Sequence, residues 1–350
     1  MRRHTLIGLG LAGAIAAGGL SAPALPRVAA ATPACQIERV ERIVAIGDVH
    51  GAYDRFVEIL RTSGIVDARQ RWAGGRAHLV QMGDVVDRGP DSRKALDLLE
   101  RLQGEARRAG GAVHPLLGNH EVMRMLGDLR YVVPAEYEEF VTSRSERARD
   151  DFVNQAQPAL REELLRETPL GFAEMRAAFG RKGRYGEWLR KLDTVVQING
   201  VLFVHGGISP EIAVMSCDAL NEAVRRELSE DLENTRNAPL ESLSAKESGP
   251  LWYRGLAQEP DAFASSVDEV LAKQNARAIV IGHTVTADGR IRTRFGGKVI
   301  QLDTGMQPAY VQGGRASALE IRNGVVTAIY ADRRDVLLTL PADTRKTAAR

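Results

Sequence analysis

Asp48, His50, Asp84, Asp87, Asn119, His120, His205 and His283 fall in five short polar segments, each following an apolar run and each containing glycine. The segments read Gly47-Asp48-Val49-His50-Gly51, Gly83-Asp84-Val85-Val86-Asp87-Arg88-Gly89, Gly118-Asn119-His120-Glu121, His205-Gly206-Gly207 and Gly282-His283-Thr284. Singly, each residue has an ordinary explanation. An Asp at a strand end caps the next helix, and a lone His is most often a satisfied core or surface residue. Together the segments hold four of the chain's seven histidines. Five such loops on one side of one sheet point to a metal site. Asp, Asn and His offer hard oxygens and imidazole nitrogens but no thiolate. That set suits Mn, Fe, Zn or Mg and speaks against a structural zinc knot. A carboxylate can bridge two cations, and two cations about 3.5–4 Å apart can activate a water and neutralise a phosphoryl group. Neither Cys35 nor Cys217 opens a Cys-(x)5-Arg loop, which excludes a cysteine-dependent tyrosine phosphatase.

The elements that must position these loops follow a strand, polar loop, helix rhythm. Ile43-Val44-Ala45-Ile46 is a buried strand, and Phe56, Ile59 and Leu60 recur at helical spacing before Gly64. The unit repeats with a strand over 77–82 and a helix over 92–108, then with a strand over 113–117. This is α/β architecture, in which functional groups gather at the carboxyl ends of strands. Residues 129–190 differ: they are rich in Glu, Arg and Ala, punctuated by Pro134, Pro158 and Pro169, and read as a helical insertion with helices over 135–150 and 151–167. Asn199-Gly200 between two apolar runs predicts a hairpin of 194–198 and 201–204. A helix over 261–274 leads to a strand over 278–281, and the end reads as a β-meander with strands at 290–294, 298–302, 317–321 and 325–330. The main domain is expected over 38–335, with a disordered tail over 336–350.

Composition is that of a globular protein, 44% hydrophobic and 26% charged, and a formal net charge of +2 gives no case for nucleic-acid binding. Arg2 and Arg3, the apolar run Leu6–Leu20 and the small residues Val28-Ala29-Ala30-Ala31 form a secretory signal pattern over 1–31. The run is short for the roughly 20 residues that span a bilayer, and five glycines interrupt it. The expectation is therefore a periplasmic or secreted protein with no stable membrane association after cleavage. In an oxidising compartment Cys35 and Cys217 can pair, or they can remain two unrelated thiols.

In order and spacing the five segments resemble the signature of the phosphoprotein phosphatase branch of the calcineurin-like metallophosphoesterases, across about residues 42–330. The flanks Val122-Met123-Arg124-Met125-Leu126-Gly127-Asp128-Leu129-Arg130-Tyr131-Val132 and Pro250-Leu251-Trp252-Tyr253-Arg254-Gly255 look like the bacterial-type Shewanella-like phosphatases. The resemblance implies a β-sandwich flanked by helices (α/β/β/α) with a helical insertion. It also implies two divalent ions of the Mn, Fe or Zn type. Asp48 and His50 would bind the first ion, Asp84 would bridge, and Asn119, His205 and His283 would complete the second. His120 would be the general acid, oriented by Asp87, while a hydroxide between the ions attacks phosphorus directly. Arg88 would grip the phosphate, with Asn119 beside it, Arg254 as the candidate second arginine and Arg130 as a lineage-specific candidate. The implied substrate is a phosphoprotein, on Ser/Thr or Tyr, and the implied state a monomer. An exported phosphatase of small phosphate esters or nucleotides is the alternative; a non-catalytic metal-binding module is disfavoured because every ligand type and His120 remain. Two departures bear on substrate. The stretch Asp303–Gly314 does not match the toxin-sensitive loop of the eukaryotic enzymes, and the insertion is longer than theirs.

Overall fold

The apolar run at 43–46 forms β2 (Arg42–Ile46), paired in parallel with β3 (His78–Gln81), which pairs in parallel with β4 (Ala112–Pro115). The computed structural model describes residues 35–230, 235, 237 and 241–341. On the other side of β2 lie the antiparallel strands β10 (Ser317–Arg322), β11 (Val325–Tyr330) and β12 (Arg334–Thr339), giving the order β12-β11-β10-β2-β3-β4. The second sheet has the order β1-β5-β6-β7-β9-β8, from β1 (Gln36–Ile37), β5 (Val195–Ile198), β6 (Val201–Val204), β7 (Ala278–Ile281), β8 (Arg292–Arg294) and β9 (Val299–Gln301).

The two sheets pack face to face over Val80, Met82, Phe203, Val280, Ile300 and Leu319, all fully buried. Apolar residues of α1 (Tyr53–Thr62) and α2 (Ser92–Arg108) cover the outer face of the first sheet. Those of α9 (Cys217–Ser229) and the helix Ala264–Lys273 cover the second. Both outer faces need helices because central strands such as β6 and β7 are apolar at every position. The α/β/β/α sandwich is thus the observed architecture.

Several boundaries move. The end is not one meander: β9 lies parallel to β7 and β8 pairs back on β9, while β10 to β12 belong to the other sheet. The chain must cross between sheets over 302–316, and that crossing brings new residues to the site. Pairing of β12 with β11 carries the domain to Thr339, past the tail expected from 336, and β1 carries it back before 38. The signal segment 1–31 and residues 342–350 lie outside the described residues. No helix among the described residues is long and apolar enough to cross a membrane.

The insertion is helical, but in shorter pieces than predicted: α4 (Pro134–Glu138), α5 (Ser145–Val153), α6 (Arg161–Glu167), α7 (Phe172–Phe179) and α8 (Arg184–Leu189). The expected helix over 135–150 is broken after Glu138: the Phe140 and Val141 amides bond to carbonyls three residues back, and the Thr142 amide donates to the Ser145 hydroxyl at 2.8 Å, a local bond that competes with helix continuation. Cys35 and Cys217 are joined by a disulfide that ties the start of the domain to the start of α9.

Candidate active site

The polar loops leave the carboxyl ends of β2, β3, β4, β6 and β7, so their side chains converge at one end of the sandwich. The backbone there is unusual. His50, Asp84, Asp87, Arg88 and His283 all have positive φ, between 49° and 72°. Each such non-glycine residue costs on the order of 1–3 kcal/mol, held only where the surroundings over-determine it. Those surroundings are visible. The Asp84 carbonyl accepts the amides of Val49 and His50 at 2.9 Å each. The buried Glu121 carboxylate accepts from the Gly118, Asp84, Val85 and Val86 amides at 2.8–3.3 Å. Gly83 has a φ of +92° and packs so tightly that a Cβ would lie 2.5 Å from the Gly118 nitrogen.

Asp84 is the centre. Its Oδ2 lies 3.3 Å from His205 Nε2, 3.7 Å from His50 Nε2 and 3.9 Å from His120 Nε2. Among the described residues, two groups at this end have ligand atoms all within 4.8 Å of one another: His50, Asp84 and His120, and Asp84, His205 and His283. Asn119 joins the second group, with its Oδ1 2.9 Å from His205 Nε2. Asp48 lies beside it and accepts the His283 amide at 3.2 Å on both oxygens.

The donor set fits a metal centre. His50 Nδ1 sits 3.0 Å from the Val86 carbonyl and His205 Nδ1 2.8 Å from the Met82 carbonyl. Those bonds place the protons on Nδ1 and leave each Nε2 as the ligand atom. His283 Nε2 is buried with no hydrogen-bond partner. Burial opposes ionisation of Asp84, but His205 and His120 hold its carboxyl well below the ordinary range. Burial also opposes charge on His205, yet Asp84 and Asp48 push it up to about 10, and a divalent cation would take the place of that proton. His283 is lowered to about 2 by burial and by His205, and His50 to about 4 chiefly by burial, so both are neutral imidazoles.

His120 stands apart in its bonding. Its Nδ1 donates to Asp87 Oδ2 at 2.7 Å, and its Nε2 faces the centre, 3.4 Å from Arg88 Nη2. Burial disfavours the imidazolium, but Asp84 and Asp87 outweigh it and raise the pKa. Arg88 is held between two rings, its guanidinium carbon 3.7 Å from the Tyr310 centroid and 4.5 Å from that of Tyr131, with a buried Nε that has no partner. Arg254 reaches the rim, where Nη1 donates to the His283 carbonyl and to Thr284 Oγ1, both at 3.0 Å. Arg130 is not brought in: its exposed guanidinium pairs with Asp128 at 2.6 Å.

Several site residues lie outside the five segments. Tyr131, not Arg130, is the residue of that segment that packs on His120, with centroids 5.0 Å apart. Tyr310 arrives on the crossing segment and meets the His50 ring edge-on at 5.8 Å. Asp303, on the same segment, is buried beside Asp48 and is pushed up to about 6 by burial. Its position directly after a strand is the same signal that marks the other acidic residues. Arg124 and Glu136 complete the surroundings of Asp87.

The calcineurin-like phosphoesterase family matches residues 41–287. Shewanella-like protein phosphatase 2 of Arabidopsis thaliana is 30% identical over 82% of this chain and 76% of its own length. Shewanella-like protein phosphatase 1 of Plasmodium berghei is 27% identical over 76% and 67%. The crystal structure of the cold-active protein-tyrosine phosphatase of a psychrophilic Shewanella superposes with a TM-score of 0.69 at 30% identity, covering 87% of this chain and 82% of that one. The chain belongs to the calcineurin-like phosphoesterase family and is a phosphoesterase hydrolase.

Proposed function

From that membership and the geometry of the site, we propose that the chain hydrolyses phosphomonoesters of proteins at a two-metal centre, with phosphotyrosine favoured over phosphoserine and phosphothreonine. The observation that carries the reading is the meeting of the Asp84 ligand cluster with the His120–Asp87 pair and Arg88 at one end of the sandwich. Asp48, His50 and Asp84 would hold one divalent ion, and Asp84, Asn119, His205 and His283 the other, of the Mn, Fe or Zn class. Such ions supply Lewis-acid charge to the phosphoryl group and lower the pKa of a water.

The chain's own residues do the rest. Arg88 presents a planar fork to phosphate oxygens, and its two flanking rings keep that fork in place. Arg254, at the rim, is the second cation for the substrate. His120 Nε2 faces the Asp84 cluster and can deliver a proton to the leaving oxygen, while Asp87 holds the ring by Nδ1. Tyr131 and Tyr310 supply apolar walls that suit an aryl ester, and the cold-active Shewanella relative is a protein-tyrosine phosphatase.

A panel of phosphotyrosine, phosphoserine and phosphothreonine peptides, nucleotides and sugar phosphates tests this reading. The expected order of kcat/KM is phosphotyrosine peptides first and small esters last. Higher kcat/KM on nucleotides or sugar phosphates would replace it with the small-ester phosphatase. We further propose export, with the chain acting as a monomer in the periplasm or outside the cell. The Cys35–Cys217 disulfide supports an oxidising compartment. Recovery of the native protein from cells with free thiols and an uncleaved N-terminus would overturn that.

A further inference from the structure

Arg124 is one of the largest fully buried side chains of the molecule, and it is charged. It sits in α3 (Asn119–Leu126), one turn after His120. Its Nη2 donates to Asp87 Oδ1 and, at 2.7 Å, to Glu136 Oε2. The other oxygen of Asp87 accepts from His120 Nδ1 at 2.7 Å. Four side chains thus form one buried line: Glu136, Arg124, Asp87, His120. The far end belongs to the helical insertion. Glu136 lies in α4, and α7 supplies Met175, whose Sδ is 3.5 Å from Arg124 Nη1, and Phe179, whose ring centroid is 5.1 Å from the guanidinium carbon. Arg176 of the same helix donates to the Arg124 carbonyl at 3.1 Å.

A buried ion triad is a poor way to gain stability, because apolar side chains of the same volume fill such a space as well or better. What the triad does supply is direction. A carboxylate that accepts from His120 alone can turn about its own bonds. With one oxygen gripped by Arg124, the other is fixed toward the imidazole, and Glu136 in turn fixes the guanidinium.

Resting on the phosphatase reading above, we infer that Arg124 and Glu136 are positioning residues for the general acid, and that the insertion, by caging Arg124, is part of the apparatus that aims His120. Residues of this kind act on proton delivery, not on the ligands. Their loss is therefore felt in proportion to how much the leaving group needs a proton.

The test compares Arg124→Met, Arg124→Lys and Glu136→Gln with the metal-loaded wild type on p-nitrophenyl phosphate, whose leaving group needs little protonation, and on phenyl phosphate, whose leaving group needs more. Metal content and Tm are measured in parallel. Arg124→Met is expected to lose about 10–100-fold in kcat on phenyl phosphate, the range typical of residues that orient a functional group. It should lose no more than about a third of that factor on p-nitrophenyl phosphate, with metal content unchanged. Arg124→Lys should recover part of the loss, and Glu136→Gln should show the same selectivity at smaller size. Combined with Asp87→Asn, Arg124→Met should add almost nothing, since both act through one ring. Equal losses on the two esters, or full additivity with Asp87→Asn, would overturn the inference. If Arg124→Met does not fold, the volume-conserving Glu136→Gln carries the same test. A wild type inactive on both esters would instead sink the phosphatase reading itself.

Discussion

The proposed metal half of this site and its proposed acid half are held in place by different kinds of structure. Asp48, His50, Asp84, Asn119, His205 and His283 sit within a few residues of a strand end, and main-chain bonds secure them: the amides of Val49 and His50 on the Asp84 carbonyl, and that of Gly51 on Val85. The acid half is secured by side chains from distant segments. Asp87 depends on Arg124 from α3, and Arg124 on Glu136, Met175 and Phe179 from the insertion. The backbone bonds join the loops that follow the adjacent strands β2 and β3, so they form with the sheet itself. Side-chain scaffolding requires the insertion to dock. If His120 is the acid we propose, a change in the insertion should alter its proton delivery while leaving the ligand geometry intact.

The largest effect separates the halves most sharply. Asp84→Asn removes the carboxylate shared by both ligand groups. It should lower metal content and activity together, by more than the roughly 10–100-fold that outer residues cost; full metal occupancy by elemental analysis would contradict the central role of Asp84. His120→Asn should do the opposite. Metal content should stay while turnover of alkyl phosphates falls by about 10²–10⁴-fold, the usual contribution of a general acid. The loss on p-nitrophenyl phosphate should be much smaller, and equal loss on both would remove His120 from the acid role. Glu121→Gln is the metal-side counterpart of the Arg124 variants. One amide oxygen cannot replace two carboxylate oxygens that accept four amides. Metal affinity, read from activity against added metal, should weaken about 10–100-fold. The ratio of rates on the two classes of ester should not move; a changed ratio would show that the two halves are not independent.

The same contrast explains what could be read in the sequence. Every metal-side residue stood beside a glycine in a short loop after an apolar run, because backbone scaffolding leaves that local trace. His120 and Asp87 share those loops, but Arg124 and Glu136, which hold them, leave no such trace. Arg124 and Arg130 stand in one segment, 122–132, and nothing in its sequence tells them apart, yet the first side chain is 1% exposed and the second 66%. Only the docking of α4 and α7 distinguishes them. Tyr310 was hidden, and the strand-end signal of Asp303 passed over, for a topological reason: the segment 302–316 looks like a turn in a meander until β9 is seen to pair with β7 and the chain is forced across the site. The two sheets and their helices were legible from apolar periodicity. The length of the insertion helices was not, because local bonds over 139–145 break the helical run without changing its apolar pattern.

The smallest effect concerns a region outside both halves and shows whether acid damages the site or the scaffold. His78 opens β3, at the end away from the Asp84 loop, and its Nδ1 lies 3.0 Å from Nε2 of His114 in β4. One neutral ring donates to the other, an arrangement that two imidazolium ions cannot keep. Burial, and then His78, lower His114 from 6.5 to about 4, and burial also lowers His78. In the unfolded chain His114 takes up its proton near its ordinary value, before the folded chain does. The unfolded state therefore binds more protons between the two values, and stability falls as pH drops through that window. Below about 4 both states are protonated and the penalty is constant. The full difference is on the order of 2–3 kcal/mol once partial exposure is discounted. Urea denaturation of wild type and His114→Gln at pH 7 and pH 4.5 measures it as the difference of the two pH-dependent losses. The variant should lose less stability on acidification, while its kcat at neutral pH and its ester preference match the wild type. An equal loss in both proteins would place the acid sensitivity elsewhere, in the buried carboxylates of the site itself.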